Sequence, residues 1–257
     1  MPKDQSIQER RHEILDNVQR TGRASVADLS VAYGVSEVTI RTDLQMLAEQ
    51  GLLVRTHGGA IPAGRLSPEL SLALRRQQQT LAKDHIGEAG AALIEDGDAL
   101  WLDTSSTALA IARHLTHHRH VTVITNSIAI VQELIDCPHL AVVVPGGRLR
   151  AETASLIGLD GLDFVRRFNI QKGFFGAHGL TMDEGLTDVS VDEADVKRVL
   201  VDLCRQVVAV LDATKWGSVG LASFAPLDQI DTIITDQSAP PDLVAQARAV
   251  GVDVLLV

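Results

Sequence analysis

Residues 22–60, GRASVADLSVAYGVSEVTIRTDLQMLAEQGLLVRTHGGA, constrain the chain more than any other stretch: they read as two short helices, a tight turn, a third helix and a β-hairpin. Ile40, Leu44 and Leu47 recur at i, i+4 and i+7, so they form one apolar stripe that buries against Val26, Leu29 and a first helix carrying Ile14 and Leu15. The opposite face, left free, carries Val38, Arg41, Thr42 and Gln45, with Thr39 at its edge. Ser36 stands where its hydroxyl caps the helix, Gly34 fits the turn before it and Gly51 ends it. Residues 52–57 suit a short hairpin, with Gly58-Gly59 at or beyond its tip. That order is a winged helix-turn-helix, an arrangement that lays one helix in a groove of double-stranded DNA. Ser36, Val38, Thr39, Arg41, Thr42 and Gln45 are then the residues facing bases and phosphates, and Arg55 and His57 point toward the phosphate backbone. A plain three-helix packing unit is the rival reading, and it leaves the hairpin without a purpose.

The net charge of −10 looks wrong for a DNA-binding chain until it is divided. Residues 1–66 hold eight Lys or Arg and eight Asp or Glu, so this part is neutral and the remainder carries the whole deficit. A neutral head with a local Arg41 and Arg55 patch binds DNA weakly by itself and gains from a homodimer or homotetramer that engages two half-sites. The 257 residues, 46% hydrophobic but 3% aromatic, suit an Ala, Val and Leu-rich α/β body. With no apolar run of about 18 residues and a charged N-terminus, the chain is expected in the cytoplasm, away from membranes. Cys137 and Cys204 lie outside any C-x-x-C pattern and read as reduced, packed thiols.

Pro62, Gly64 and Pro68 mark a hinge, followed by a helical stretch over roughly 69–95. The expected division is a DNA-binding head at 1–61, a linker at 62–80 and an α/β body at 81–257. From residue 98, short β-type runs alternate with helical stretches: 98–103, 120–125, 140–145, 172–177, 207–212, 231–236 and 252–257. This predicts a mostly parallel sheet, in which ligands collect at the carboxyl ends of the strands. Four such ends carry chemistry. Asp103, Thr104, Ser105, Ser106 and Thr107 offer hydroxyls and backbone N–H groups; Thr125, Asn126 and Ser127 add an amide and two hydroxyls; Gly146 and Gly147 let backbone approach a ligand beside Arg148; Asp212 and Lys215 stand beyond a buried run. Each alone is an ordinary cap or turn.

The run VSEVTIRTDLQMLAEQGLLVRTHGGA resembles the DNA-binding segment of the DeoR-type bacterial sugar-catabolism repressors, whose pattern is VS..TIRRDL..L...G...R.HGGA. It departs at Thr42, where the family has a second arginine. Asp43 is retained, on the flank of the buried stripe, where orienting a neighbouring arginine is its expected role. The four strand ends, together with Gly185, Thr187, Glu193, Ala194 and Lys197, are similar to the family's sensor half, so the resemblance covers nearly the whole chain; Ser105 and Ser106 stand where the D.GTT pattern has Gly and Thr. The resemblance implies a ribose-5-phosphate-isomerase-like sensor fold and a phosphorylated sugar or polyol effector. Lys197 and Lys215 are then its charge partners, with Glu193 and Asp103 orienting hydroxyls. It implies a transcription regulator, a repressor of carbohydrate-utilisation genes, that needs no cofactor.

An isomerase-like enzyme with an appended DNA-binding head is the alternative. Aldose–ketose chemistry needs a carboxylate base, and the acidic stretch of the isomerases is replaced by FGAHG at 175–179, with Phe175 and His178 in place of aspartates. His114 and His118 have a zinc-like i, i+4 spacing with no acidic or cysteine partner nearby in sequence, so they read as surface histidines and no metal site is expected. The acidic stretch 183–195 does not fit a calcium loop and reads as a solvated edge with Glu193 turned inward.

Overall fold

The computed structural model describes residues 7–21, 23–49, 52–56, 58–62, 72–151, 153–158 and 161–257. The chain divides into two compact units, Met1–Arg75 and Arg76–Val257.

In the first unit, α1 (Ile7–Thr21), β1 (Ala24–Ser25), α2 (Val26–Tyr33), α3 (Glu37–Glu49), β2 (Leu53–Thr56) and β3 (Gly59–Pro62) precede a short α4 (Leu72–Arg75). Residues 22–60 therefore hold two helices rather than three, and the first helix of the motif lies upstream of them. Ala24 and Ser25 instead pair with Ala60 and Gly59, making a three-stranded antiparallel sheet in the order β1-β3-β2. The expected stripe is buried: Ile40, Leu44 and Leu47 pack with Ile14, Val18, Val26, Leu29 and Leu53. Fully burying each such side chain stabilises by about 1.5–3 kcal/mol. Ser25 and Ser36 accept hydrogen bonds from the N–H groups of Asp28 and Thr39, capping α2 and α3. Gly34 ends α2 at φ 66°, a left-handed conformation that glycine adopts without a Cβ penalty. Gly51, His57 and the hinge prolines' partner Gly64, with Pro68, lie outside the described residues.

Asp43 settles how α1 and α3 are held together. Its carboxylate is 1% exposed, and the Nε groups of Arg10 and Arg11 donate to its two oxygens, each at 2.7 Å. The residue orients arginines from another helix, as expected from its flank position.

The second unit contains α5 (Thr80–Ala92), β4 (Ala99–Leu102), α6 (Ser106–His114), β5 (Thr122–Ile124), α7 (Ile128–Leu134), β6 (Ala141–Val143), β7 (Arg148–Arg150), β8 (Ser155–Ile157), α8 (Leu162–Val165) and β9 (Ile170–Phe175). It continues through β10 (Gly179–Thr181), β11 (Gly185–Asp188), α9 (Val191–Leu203), β12 (Cys204–Val210), β13 (Ala222–Ala225), β14 (Thr232–Thr235), α10 (Pro241–Ala249) and β15 (Asp253–Leu256). Each of the seven runs marked from sequence supplies one strand of a seven-stranded sheet, ordered β15-β14-β12-β9-β4-β5-β6, with every neighbouring pair parallel. Strands β9 and β12 start earlier than their apolar runs because they are paired from Ile170 and Cys204 onward. Two smaller sheets, β10-β11-β13 and the β7-β8 hairpin, come from segments too short to show an alternating apolar signal. The helical stretch expected over 69–95 is broken: residues 76–79 form a turn and Gln79 takes φ 51° before α5 begins.

Because all seven strands run the same way, their carboxyl ends share one edge, which brings Asp103, Thr125, Gly176 and Leu211 out on one side of the sheet.

The Asp43 clamp makes a testable demand. Asp43→Ala leaves two arginines beside a helix interface without their anion and is expected to destabilise the first unit by about 3 kcal/mol. Hydrogen exchange of the full chain should show faster opening of α1 and α3 with the second unit unaffected; unchanged protection would show that apolar packing alone holds these helices.

Candidate functional site

The turn after β4 is organised by Asp103. Its Oδ1 accepts the Ser105 N–H at 2.9 Å and its Oδ2 accepts the Gly176 N–H at 2.9 Å, tying the ends of β4 and β9 together. A Cβ at position 176 would stand 2.4 Å from Ser105 Cβ, so only glycine allows this approach. Ser105 caps α6 by accepting the Ala108 N–H, while Ser106 and Thr107 are buried in the first helical turn. After β5, Thr125 donates to Leu102 O at 2.7 Å and accepts the Ser127 N–H, and Ser127 caps α7 through Ile130. Asn126 donates through Nδ2 to Leu156 O at 2.9 Å.

These turns enclose a small cavity lined by Trp101, Asp103, Thr104, Asn126, Glu193 and Lys197. A second, open cavity of about 720 Å³ adjoins it through Ile157 and Val196, and there Gly146, Gly147 and Arg148 form one wall, facing Asp192 and Asp195. The structure thus gathers three of the four expected strand ends with Glu193 and Lys197. Asp212 and Lys215 line neither cavity. Asp212 caps the turn Ala213–Lys215, accepting from both the N–H and the hydroxyl of Thr214, with Lys83 Nζ 4.0 Å away.

Lys197, 6% exposed, is the centre of charge. Its ammonium lies 2.8 Å from Asp188 Oδ2, 3.1 Å from Asp103 Oδ2 and 2.8 Å from Gly176 O, and 4.9 Å from the centre of the Phe224 ring. Burial pushes its pKa down, but Asp188, then Asp103 and Glu193, outweigh burial and hold it above the ordinary lysine value. Glu193, four residues earlier on the same face of α9, is 3.6 Å from Arg150, whose guanidinium also donates to Ser190 Oγ at 2.8 Å.

Sequence reasoning missed Asp188 and Arg150. The stretch 183–195 is not simply a solvated edge: Asp183, Glu184 and Asp192 are exposed, whereas Asp188 and Glu193 are both buried. Asp188 closes β11, and alternation along that strand hid it because all four of its residues are buried. His114, read as lacking an acidic partner, lies 3.1 Å from Asp84, thirty residues upstream. Among the described residues no group of three or more His, Cys, Asp or Glu is arranged to hold a metal ion, and burial pushes the Cys204 thiol up to about 12. No helix among the described residues is long and apolar enough to cross a membrane.

In the first unit, Val38 is 68% exposed and Arg41 and Thr42 are exposed beside it, while Thr39 and Gln45 are half-buried. Arg41 pairs with Glu37 at 2.6 Å, an exchangeable surface contact on one helical face. Arg55 on β2 donates to Gln45 Oε1 at 2.7 Å, so the wing supports the free helix face. Ser36 and Thr39 share a hydroxyl contact of 2.9 Å, and Thr42 donates to Val38 O. His57 lies outside the described residues.

Comparison with known proteins follows the same division. Residues 10–63 match the DeoR-like helix-turn-helix domain, and residues 78–237 match the DeoR C terminal sensor domain. The chain is 36% identical to an uncharacterized HTH-type transcriptional regulator, YgbI, of Escherichia coli K12, covering 90% of this chain and 91% of that one. It is 32% identical to the HTH-type transcriptional regulator GolR of Listeria innocua (96% and 97% covered) and 31% identical to the glycerol-3-phosphate regulon repressor of Escherichia coli K12 (91% and 91% covered).

Replacing Lys197 by methionine keeps the length of the side chain and removes the ammonium held by Asp103 and Asp188. Breaking a buried pair in this way costs about 3–5 kcal/mol, read as a lower urea midpoint for the second unit. Since the folded pKa is raised, this contribution is complete below the ordinary value of 10.5 and lost only as pH climbs beyond it. The loss should therefore be the same at pH 7 as at pH 9.

Proposed function

The chain belongs to the DeoR family of transcription regulators, and from that premise we propose that it represses a carbohydrate-utilisation operon in the cytoplasm, with a phosphorylated sugar or polyol as effector. The observation that carries this reading is the combination, in one chain, of an exposed α3 face with a charged, strand-end cavity in the second unit. Residues 1–61 serve as the DNA-binding head, 62–80 as linker and 81–257 as sensor. Operator contacts fall to Ser36, Val38, Thr39, Arg41, Thr42, Gln45, Arg55 and His57. Thr42 replaces an arginine of the family pattern, which removes one charge from the interface and alters operator preference.

Lys197 already has two carboxylates against it, so its charge is spent within the protein. Phosphate is better served by Gly146, Gly147 and Arg148 in the open cavity, while Thr104 at the N-terminal turn of α6 lines the inner one. Asp103, Glu193, Asn126 and Lys197 then face the hydroxyls. Lys215 enters this scheme by family resemblance alone. Effector binding shifts the spacing of the heads in a homodimer or homotetramer and so changes affinity for a two-half-site operator. A sensor rather than an isomerase is supported by Phe175, buried against Phe224 where the resemblance to the isomerases would put a carboxylate.

Thermal denaturation against paired phosphorylated and free sugars tests the sensor. At a hundredfold excess over Kd a ligand stabilises by about 2.7 kcal/mol, roughly 5–10 °C for a unit of this size. A shift with a phosphorylated compound and none with its free sugar is expected; no shift with any, or turnover of a sugar phosphate, would sink the reading. Arg41→Ala should weaken operator binding by about 1–3 kcal/mol if it reads a base, or lower the salt slope by about one if it holds a phosphate. An unchanged affinity and slope would remove Arg41 from the interface.

A further inference from the structure

Among the residues that line the inner cavity, Trp101 Nε1 and Asn126 Oδ1 are buried without a hydrogen-bond partner among the described residues, whereas Glu193 Oε1 is held by Arg150 at 3.6 Å. Trp101 lies on β4, two residues before Asp103, and is 1% exposed. The indole of Trp216, also buried, donates to Thr235 Oγ1 at 3.1 Å, which is what a buried indole N–H ordinarily does. Asn126 is 8% exposed, and the bond from its Nδ2 to Leu156 O fixes which way the amide faces, leaving Oδ1 as the free end. Trp101 and Asn126 line the same cavity, whose volume of about 10 Å³ is close to the minimum for one water-sized group.

An indole N–H only donates, and an amide carbonyl only accepts. The group that satisfies both at once must accept and donate, which excludes a phosphate oxygen, an acceptor, and an ammonium, a donor. We propose that Trp101 and Asn126 form a hydroxyl-reading pair, occupied by one water in the free protein and by one uncharged hydroxyl of the effector in the complex. The second half rests on the sugar-phosphate reading above; the first does not. The phosphate then lies away from this pair, toward the open cavity, and Trp101 selects for a hydroxyl at a defined distance from the phosphate.

The test uses the full-length chain and Trp101→Phe, which keeps an aromatic ring on β4 and removes the N–H. An atomic-resolution crystal structure of the free wild-type protein should show a water within about 3.2 Å of both atoms, absent or displaced in Trp101→Phe. Calorimetry with glycerol 3-phosphate, glucose 6-phosphate and fructose 1-phosphate should show the tightest of them weakened about 10- to 100-fold by Trp101→Phe. The analogue lacking the recognised hydroxyl should bind both proteins equally. If a probe binds the wild type but the water is missing, or the variant binds as tightly, the pair is core packing and this inference falls alone. If no probe binds while the water is in place, the effector reading falls and the hydroxyl site stands. If neither is found, both fall.

Discussion

The ammonium of Lys197 is the contact on which the second unit's strand-end region depends. It reaches Asp103 at the end of β4, Asp188 at the end of β11 and the carbonyl of Gly176 beyond β9, so one side chain from α9 joins the parallel sheet to the small antiparallel one. Desolvating an ammonium is expensive, and the surrounding carboxylates offset that cost only because their other oxygens are also hydrogen-bonded. Asp103 meets that condition through the N–H groups of Ser105 and Gly176, and Asp188 through that of Val189. The network leaves the hydroxyls and amides around it in defined positions.

The DNA-binding unit uses the same device on a smaller scale. Asp43 takes Arg10 and Arg11 from α1, so that α3 is gripped from its buried flank and its opposite face stays free. The pair Arg41 and Glu37 is different in kind: exposed, local to one helix and of little weight in holding the fold. Buried ion pairs hold the helices in place, and exposed ones remain available for exchange.

Several features were readable from the sequence because they depend on neighbours along the chain. The stripe Ile40, Leu44 and Leu47, the cap at Ser36 and the seven β-type runs each follow from local spacing, and the structure contains all of them. The β10-β11-β13 sheet and the break at residues 76–79 were not legible, since neither alters an apolar period. Asp188 and Arg150 were hidden for a related reason: their partners, Lys197 and Glu193, are in another element, and a lone acidic or basic residue gives no sign of facing inward. The partner of His114 was hidden in the same way, as Asp84 lies thirty residues away.

By itself, then, the sequence determined the seven strands of the parallel sheet, the presence of a helix-turn-helix head before an α/β body, and the strand ends at which chemistry collects, because periodicity, capping and turn preference are properties of short windows. Only the tertiary structure decided which of those ends meet. It placed Asp103, Asn126, Glu193 and Lys197 around one cavity, brought in Trp101 from a position that reads as plain core, and kept Asp212 and Lys215 out of the cavity lining. That choice belongs to strand order and helix packing, and two residues far apart in the chain become partners only when burial forces their charges or unpaired polar groups to find each other.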